Sequence, residues 1–195
     1  MLEDLTTFIQ SAGYIGLFLI IFAESGLFFG FFLPGDSLLF TAGFLASQGY
    51  FDIRILVPLL FIGAVLGDNI GYWTGQKYGR KLFEKKDSWI FKKKYLREAE
   101  KFYEKHGKKT ITIARFLPII RTFAPIVAGI AHMDYKAFMA YNLLGGLLWA
   151  VGMTLGGYFL GQVVPNAEEL VLPIVAVIVV ISSLPAAIHA YKKTA

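Results

Sequence analysis

The chain has 195 residues, 56% of them hydrophobic, and a formal net charge of +5; its mean hydropathy is +0.57. That is too apolar for an ordinary soluble domain, and several runs approach the roughly 20 residues that cross a bilayer. It contains no cysteine, which excludes disulfides, thiolate nucleophiles and cysteine metal sites.

Met1-Leu-Glu-Asp lacks a basic start, so no cleavable signal peptide is expected. Residues 5–23 read as a first span, weak at its start because Thr6, Thr7, Gln10 and Ser11 are polar. Residues 28–47 are apolar but broken at Pro34-Gly35, and are expected to dip into the membrane from outside and turn back. Residues 49–54 are then external, and 55–76 form a span running inward. Residues 77–109 hold 13 of the 19 Lys and Arg but 5 of the 14 Asp and Glu, a local net of +8 against −3 elsewhere. A short basic loop between apolar spans marks the cytoplasmic side and suits contact with anionic lipid. Nucleic acid is not an expected partner of so confined a segment. Its second half, from Lys92 to Gly107, reads as an amphipathic helix at the headgroup surface.

Residues 110–131 must begin and end on the cytoplasmic side, so they are expected to enter the membrane and turn back, with the turn near Pro118 to Pro125. A further span covers 137–161 and a last one 170–190, after which Lys192-Lys193 puts the C-terminus in the cytoplasm. The expected fold is an all-α integral membrane protein with about four transmembrane helices and two opposed re-entrant helical hairpins.

A faint internal repeat underlies this parse. Phe32-Leu-Pro and Phe116-Leu-Pro are 84 residues apart, and Ala42-Gly and Ala128-Gly are 86 apart. Asp52 and Asp134, Gly75 and Gly157, and Gly79 and Gly161 are each 82 apart. Residues 24–79 would form one unit and 110–161 a second, inverted copy within a single membrane domain, as in inverted-repeat transporters. Gly63, Gly67, Gly71, Gly75 and Gly79 make a ridge of small residues that lets helices approach closely, within one chain or between two copies.

Five charges fall within apolar surroundings: Glu24, Asp36, Asp68, Arg115 and Arg121. Each costs on the order of 3 kcal/mol at bilayer depth unless it finds a partner or a polar cavity. Arginine stays protonated and its planar fork suits phosphate oxygens. Arg115 and Arg121 are therefore candidate phosphate ligands, with Glu24, Asp36 and Asp68 as charge partners or proton-exchanging groups. The competing reading is a structural cluster in which the acids only neutralise the arginines. Six residues on a regular helix would put the arginines on different faces, so convergence requires a break near Pro118. His106, His132 and His189 have no ligand spacing, so neither metal nor cofactor is expected. Trp73, Trp89 and Trp149 read as interface anchors or packing.

With those residues in hand, the chain resembles the DedA family, also called the SNARE-associated or VTT-domain family. The resemblance runs from Glu24 through Phe31-Phe-Leu-Pro-Gly-Asp-Ser-Leu-Leu-Phe and Gly67-Asp-Asn-Ile-Gly-Tyr. It continues through Phe102-Tyr-Glu-Lys-His-Gly and Ala114-Arg-Phe-Leu-Pro-Ile-Ile-Arg-Thr-Phe-Ala-Pro-Ile-Val-Ala-Gly to Tyr141-Asn-Leu-Leu-Gly. It implies a bacterial inner-membrane protein with two opposed re-entrant loops, and puts the family's important acids on Glu24 and Asp36 and its important arginines on Arg115 and Arg121. It further implies movement of lipids such as undecaprenyl phosphate or phosphatidylethanolamine between leaflets, and a link to the proton-motive force.

The leading expectation is a proton-linked flippase returning undecaprenyl phosphate toward the cytoplasmic leaflet. A general phospholipid flippase or scramblase, and a proton-coupled carrier of small ions, are the alternatives. A membrane phosphatase would need a Pro-Ser-Gly-His pattern that is absent, and no enzymatic activity is expected. A purely structural scaffold gives no reason for five charges in apolar segments.

Overall fold

The computed structural model describes residues 2–26, 35–84, 97, 101 and 103–163. Pro34, about half of the basic segment and the expected last span lie outside these residues. All regular structure among the described residues is helical. Helix α1 is Leu2–Gly26, α2 is Gly35–Ser47 and α3 is Ile53–Glu84. A 3-10 turn, Gly107–Lys109, leads into the short α4, Thr110–Ala114. Then come α5, Pro118–Ile130, and α6, Tyr135–Gly146. A π turn over Leu147–Val151 joins α6 to α7, Gly152–Val163.

Among the described residues, two segments are long and apolar enough to cross a membrane: Ile53–Gly79, of 27 residues, and Tyr135–Val163, of 29. At 1.5 Å per residue each reaches about 40 Å, more than the ~30 Å hydrocarbon core. They contain the expected spans 55–76 and 137–161. In α1 the apolar stretch is shorter, Gly13–Gly26. The faces of α3 are arranged for an apolar solvent. Ile62, Leu66, Ile70 and Trp73 are exposed, while Asp68, Asn69 and Tyr72 are buried beside Gly63, Gly67, Gly71 and Gly75. Large aliphatics gain nothing by leaving lipid, whereas polar groups and close backbone contact do.

Each long segment starts on an aspartate cap. Asp52 Oδ1 accepts from Arg54 N at 2.8 Å ahead of α3, and Asp134 Oδ2 accepts from Ala137 N at 2.9 Å ahead of α6. Such caps satisfy N–H groups that the first turn leaves without helical acceptors.

The chain divides into two compact units, each discontinuous in sequence. Among the described residues, one takes α1 up to Phe18, α2 and the chain to Leu60, and Ala150 to Val163; the other takes Leu19 to the end of α1 and those between Phe61 and Trp149. Each therefore combines a piece of the first expected repeat with a piece of the second. In one unit α2 packs on α7, and in the other α5 packs on α3. The contacts recur at the offsets of the sequence repeat. A Cβ on Gly43 would run into the Thr154 carbonyl, and a Cβ on Gly129 into the Tyr72 carbonyl. A Cβ on Gly157 would meet the Phe40 carbonyl as one on Gly75 would meet that of Ile126.

The second unit has a core of Tyr72, Ile111, Ala114, Ala124, Ala128, Met133 and Phe138. Tyr72 stacks on Phe138 with centroids 4.4 Å apart and donates to the Met133 carbonyl at 2.5 Å. In the segment 110–131 the chain bends at residues 115–117, between α4 and α5. Leu117 is extended, with φ −121° and ψ 102°, as a residue before proline is steered to be, and Pro118 opens α5. The bend thus falls directly ahead of Pro118. Helix α5 runs through Pro125. One withheld N–H is tolerated in an apolar helix packed on its neighbours, and Pro125 lies against Gly71, where a Cβ would come within 3.2 Å of it.

Candidate functional site

The second unit brings four charges together. Gly26 lies against Gly67, so close that a Cβ on either would overlap the other's helix. That approach carries Glu24, two residues earlier on α1, into the interior, where it is fully buried. Asp68 and Asn69 follow Gly67 on the inner side of α3. Arg115 occupies the bend and Arg121 lies one turn into α5, and only 3% and 8% of their surfaces are exposed.

Arg115 Nη2 donates to Asp68 Oδ2 at 2.7 Å, to Asn142 Oδ1 at 2.6 Å and to the Ala64 carbonyl at 3.3 Å. Two hydrogens serve three acceptors, so Ala64 takes the weakest share. Asn142 Nδ2 donates in turn to the Val65 carbonyl at 3.1 Å, and Asn69 Nδ2 joins it there at 2.8 Å. Tyr135 Oη donates to Asn69 Oδ1 at 2.9 Å. A polar network therefore runs from the bend across α3 to the start of α6. Arg115 Nε is buried and has no hydrogen-bond partner among the described residues. It rests on Gly145, where a Cβ would come within 3.1 Å of it.

Arg121 pairs with Glu24 through Nη2 and Oε1. Both guanidinium groups also face one ring, that of Trp149, with Cζ 4.9 Å from its centroid for Arg121 and 5.7 Å for Arg115. Trp149 is 2% exposed and sits in the π turn. Such turns interrupt the α-helical register and recur where side chains serve a site.

Two guanidinium and two carboxylate groups make this cluster formally neutral. Stranding any one of them in an apolar interior would be costly, while paired and hydrogen-bonded charges are sustainable there. A guanidinium paired in this way can bond an anion other than its carboxylate, provided the displaced carboxylate is itself neutralised.

Of the residues singled out from sequence, Glu24, Asp68, Arg115 and Arg121 converge. Asp36 lies in the first turn of α2, half-buried, in the other compact unit. Gly35 opens α2, Pro118 opens α5 and Pro125 lies within α5. Sequence reasoning passed over Asn142, Tyr135 and the role of Trp149. Asn142 carried a usable signal, an amide in the middle of an apolar span. Trp149 carried none, since an aromatic in such a span is ordinary packing. Among the described residues, no group of three or more His, Cys, Asp or Glu is placed to hold a metal ion.

Residues 33–159 match the protein family described as "VTT domain". The chain is 51% identical over 178 residues to Protein DedA of Escherichia coli strain K12, covering 90% of this chain and 81% of that protein. It is 48% identical over 172 residues to a membrane protein of Mycobacterium leprae, covering 88% and 77%. With the inner membrane protein YqjA of Escherichia coli strain K12 it shares 34% identity over 151 residues, covering 76% and 68%. No solved structure matches the chain.

Proposed function

Because the chain belongs to the DedA family of VTT-domain membrane proteins, a family linked to membrane transport, we propose that it is a flippase for a lipid phosphate, undecaprenyl phosphate foremost, in the bacterial inner membrane. The observation that carries this reading is the pair of buried guanidinium groups of Arg115 and Arg121 on one tryptophan ring, each held by an exchangeable acid. The phosphate would replace Glu24 on Arg121 and Asp68 on Arg115 while the polyprenyl tail stays in the bilayer. The uncommitted Nε of Arg115 adds a donor for a phosphate oxygen. A carboxylate released from its arginine in an apolar setting favours its protonated form. Protons would accordingly enter the cycle through Glu24 and Asp68, with Asp36 as a further acid on the other unit.

The proposed topology has residues 77–109 and the C-terminus in the cytoplasm and two re-entrant hairpins entering from opposite sides. The recurrence of Gly43 on Thr154 as Gly129 on Tyr72 supports a repeated architecture. Arginine serves any phosphate headgroup, so a broader phospholipid flippase or scramblase is the alternative within lipid transport.

The test is reconstitution in proteoliposomes with chemically trappable undecaprenyl phosphate, with and without a pH gradient, beside Arg121→Ala. Movement faster than in empty vesicles and lost in the variant is the expected result, and gradient dependence would add proton coupling. Equal movement of phosphatidylethanolamine would favour the broader flippase. If folded protein moves neither lipid, the flippase reading falls and a proton-coupled carrier of small ions takes its place.

A further inference from the structure

We propose that Trp149 is the positioning residue of this site: its ring holds both guanidinium groups in place while their acceptors change from carboxylate to phosphate. The inference rests on the lipid-phosphate reading for its consequence, but the ring contact itself does not depend on a ligand.

An arginine loses part of what keeps it in register once its acid lets go; for Arg115, Asn142 and the Ala64 carbonyl remain. Its long side chain would then recover rotamer freedom, and the cation would lie unpaired in an apolar core. An aromatic ring attracts a cation through the negative potential of its face, without offering a lone pair. It therefore does not compete for the N–H groups that carboxylate and phosphate must share. Trp149 meets this need twice, at 4.9 Å from Arg121 Cζ and 5.7 Å from Arg115 Cζ. Those distances place the two guanidinium carbons within about 11 Å of each other.

The ring's own placement is firm. Trp149 is among the largest fully enclosed side chains of the described residues. It stands on the π turn rather than on a regular helix, four residues after Gly145, which makes room for Arg115. The division between the two compact units also falls between Trp149 and Ala150. Trp149 is thus the last residue of the unit that carries both arginines, in a turn whose hydrogen-bond register already departs from the α-helix.

The test uses the full chain with Trp73→Phe and Trp89→Phe, which leaves Trp149 as the single tryptophan, in lipid nanodiscs. The first arm contains no ligand. Glu24→Gln/Arg121→Gln removes one ion pair whole, so no charge is stranded, and should alter Trp149 emission; so should Asp68→Asn/Arg115→Gln. Unchanged emission in both would overturn the assignment. The second arm titrates farnesyl phosphate. Emission should change saturably, and Trp149→Met, which keeps apolar bulk but no ring, should weaken binding about tenfold while Trp149→Phe largely retains it. Binding in these ring variants is followed by equilibrium dialysis. Equal affinity in the Met and Phe variants would overturn the positioning role. If the first arm succeeds but no farnesyl phosphate binds to the unsubstituted protein, it is the lipid-phosphate reading that fails, and the ring contact stands.

Discussion

Arg115 and Asp68 meet at 2.7 Å across 47 residues of sequence, with 3% and 5% of their side chains exposed. The pair joins the bend before α5 to the middle of α3, and Asn142 on α6 completes it. Its two halves are not equally dispensable. Asp68→Ala strands a cation that has no neutral form at accessible pH, and should destabilise the protein by about 3–5 kcal/mol. Asp68→Asn/Arg115→Gln removes both charges and should recover most of that loss without recovering lipid movement. Chemical unfolding in detergent, followed by circular dichroism, measures the first effect. A single variant as stable as the parent would mean that Arg115 is not compensated by Asp68.

The amide network should respond in graded fashion. Tyr135→Phe removes one hydrogen bond to Asn69 at the partly exposed end and should cost about 1 kcal/mol. Asn142→Leu removes a 2.6 Å acceptor from a buried guanidinium and should cost about 2–3 kcal/mol. The same unfolding measurement ranks them, and a larger loss for Tyr135→Phe would contradict the network as drawn.

How much of this was legible beforehand depended on the kind of signal. Charge in an apolar run is costly wherever it falls, so Glu24, Asp68, Arg115 and Arg121 could be picked out without knowing what they touch. The long helices were legible for the same reason, their length and apolarity being set by the bilayer. Which acid serves which arginine was not. That depends on Gly26 meeting Gly67 and on a bend at residues 115–117, neither of which has a local signature of pairing. Pro125 shows the limit of local rules, because a proline in an otherwise apolar helix is as compatible with continuation as with a turn. Trp149 was invisible as a site residue, since its role comes from two arginines more than 25 residues away in sequence.

The glycine contacts give a prediction about packing. Gly43 and Gly129 occupy equivalent positions in the two units, each against a backbone carbonyl, so Gly43→Ala and Gly129→Ala force helices apart and should each cost about 1–3 kcal/mol. Gly152 faces open space, and Gly152→Ala should be neutral or stabilise by up to about 1 kcal/mol through helix propensity. Thermal unfolding of the three variants side by side is the measurement. Similar loss in all three would show that the substitutions act through general helix effects rather than through close approach.

Gly145→Ala probes the site without replacing any of its polar groups. The added methyl would sit 2.9 Å from Arg115 Cδ and 3.1 Å from Nε, so the arginine must shift. A misplacement of about 1 Å in a positioned group can cost on the order of a hundredfold in rate. The expected result is flipping reduced at least about tenfold, with the folded protein retained. Unaltered flipping would show that Arg115 does not act at a fixed position.

The last prediction separates grip from neutralisation. In the exchanged variant Glu24→Arg/Arg121→Glu, the two charges trade helices and the ion pair can persist, so unfolding should return most of the stability that Glu24→Ala alone removes. If the arginines served only to balance the acids, lipid movement would return as well. A phosphate held over Trp149 needs its cation on α5, one turn after the bend, where the guanidinium lies 4.9 Å from the ring. Moving that cation to α1 takes the donor fork away from the ring while leaving the net charge unchanged. Flipping of undecaprenyl phosphate in proteoliposomes should stay at least about tenfold below the unsubstituted protein, and its full recovery would assign the cluster to structure alone.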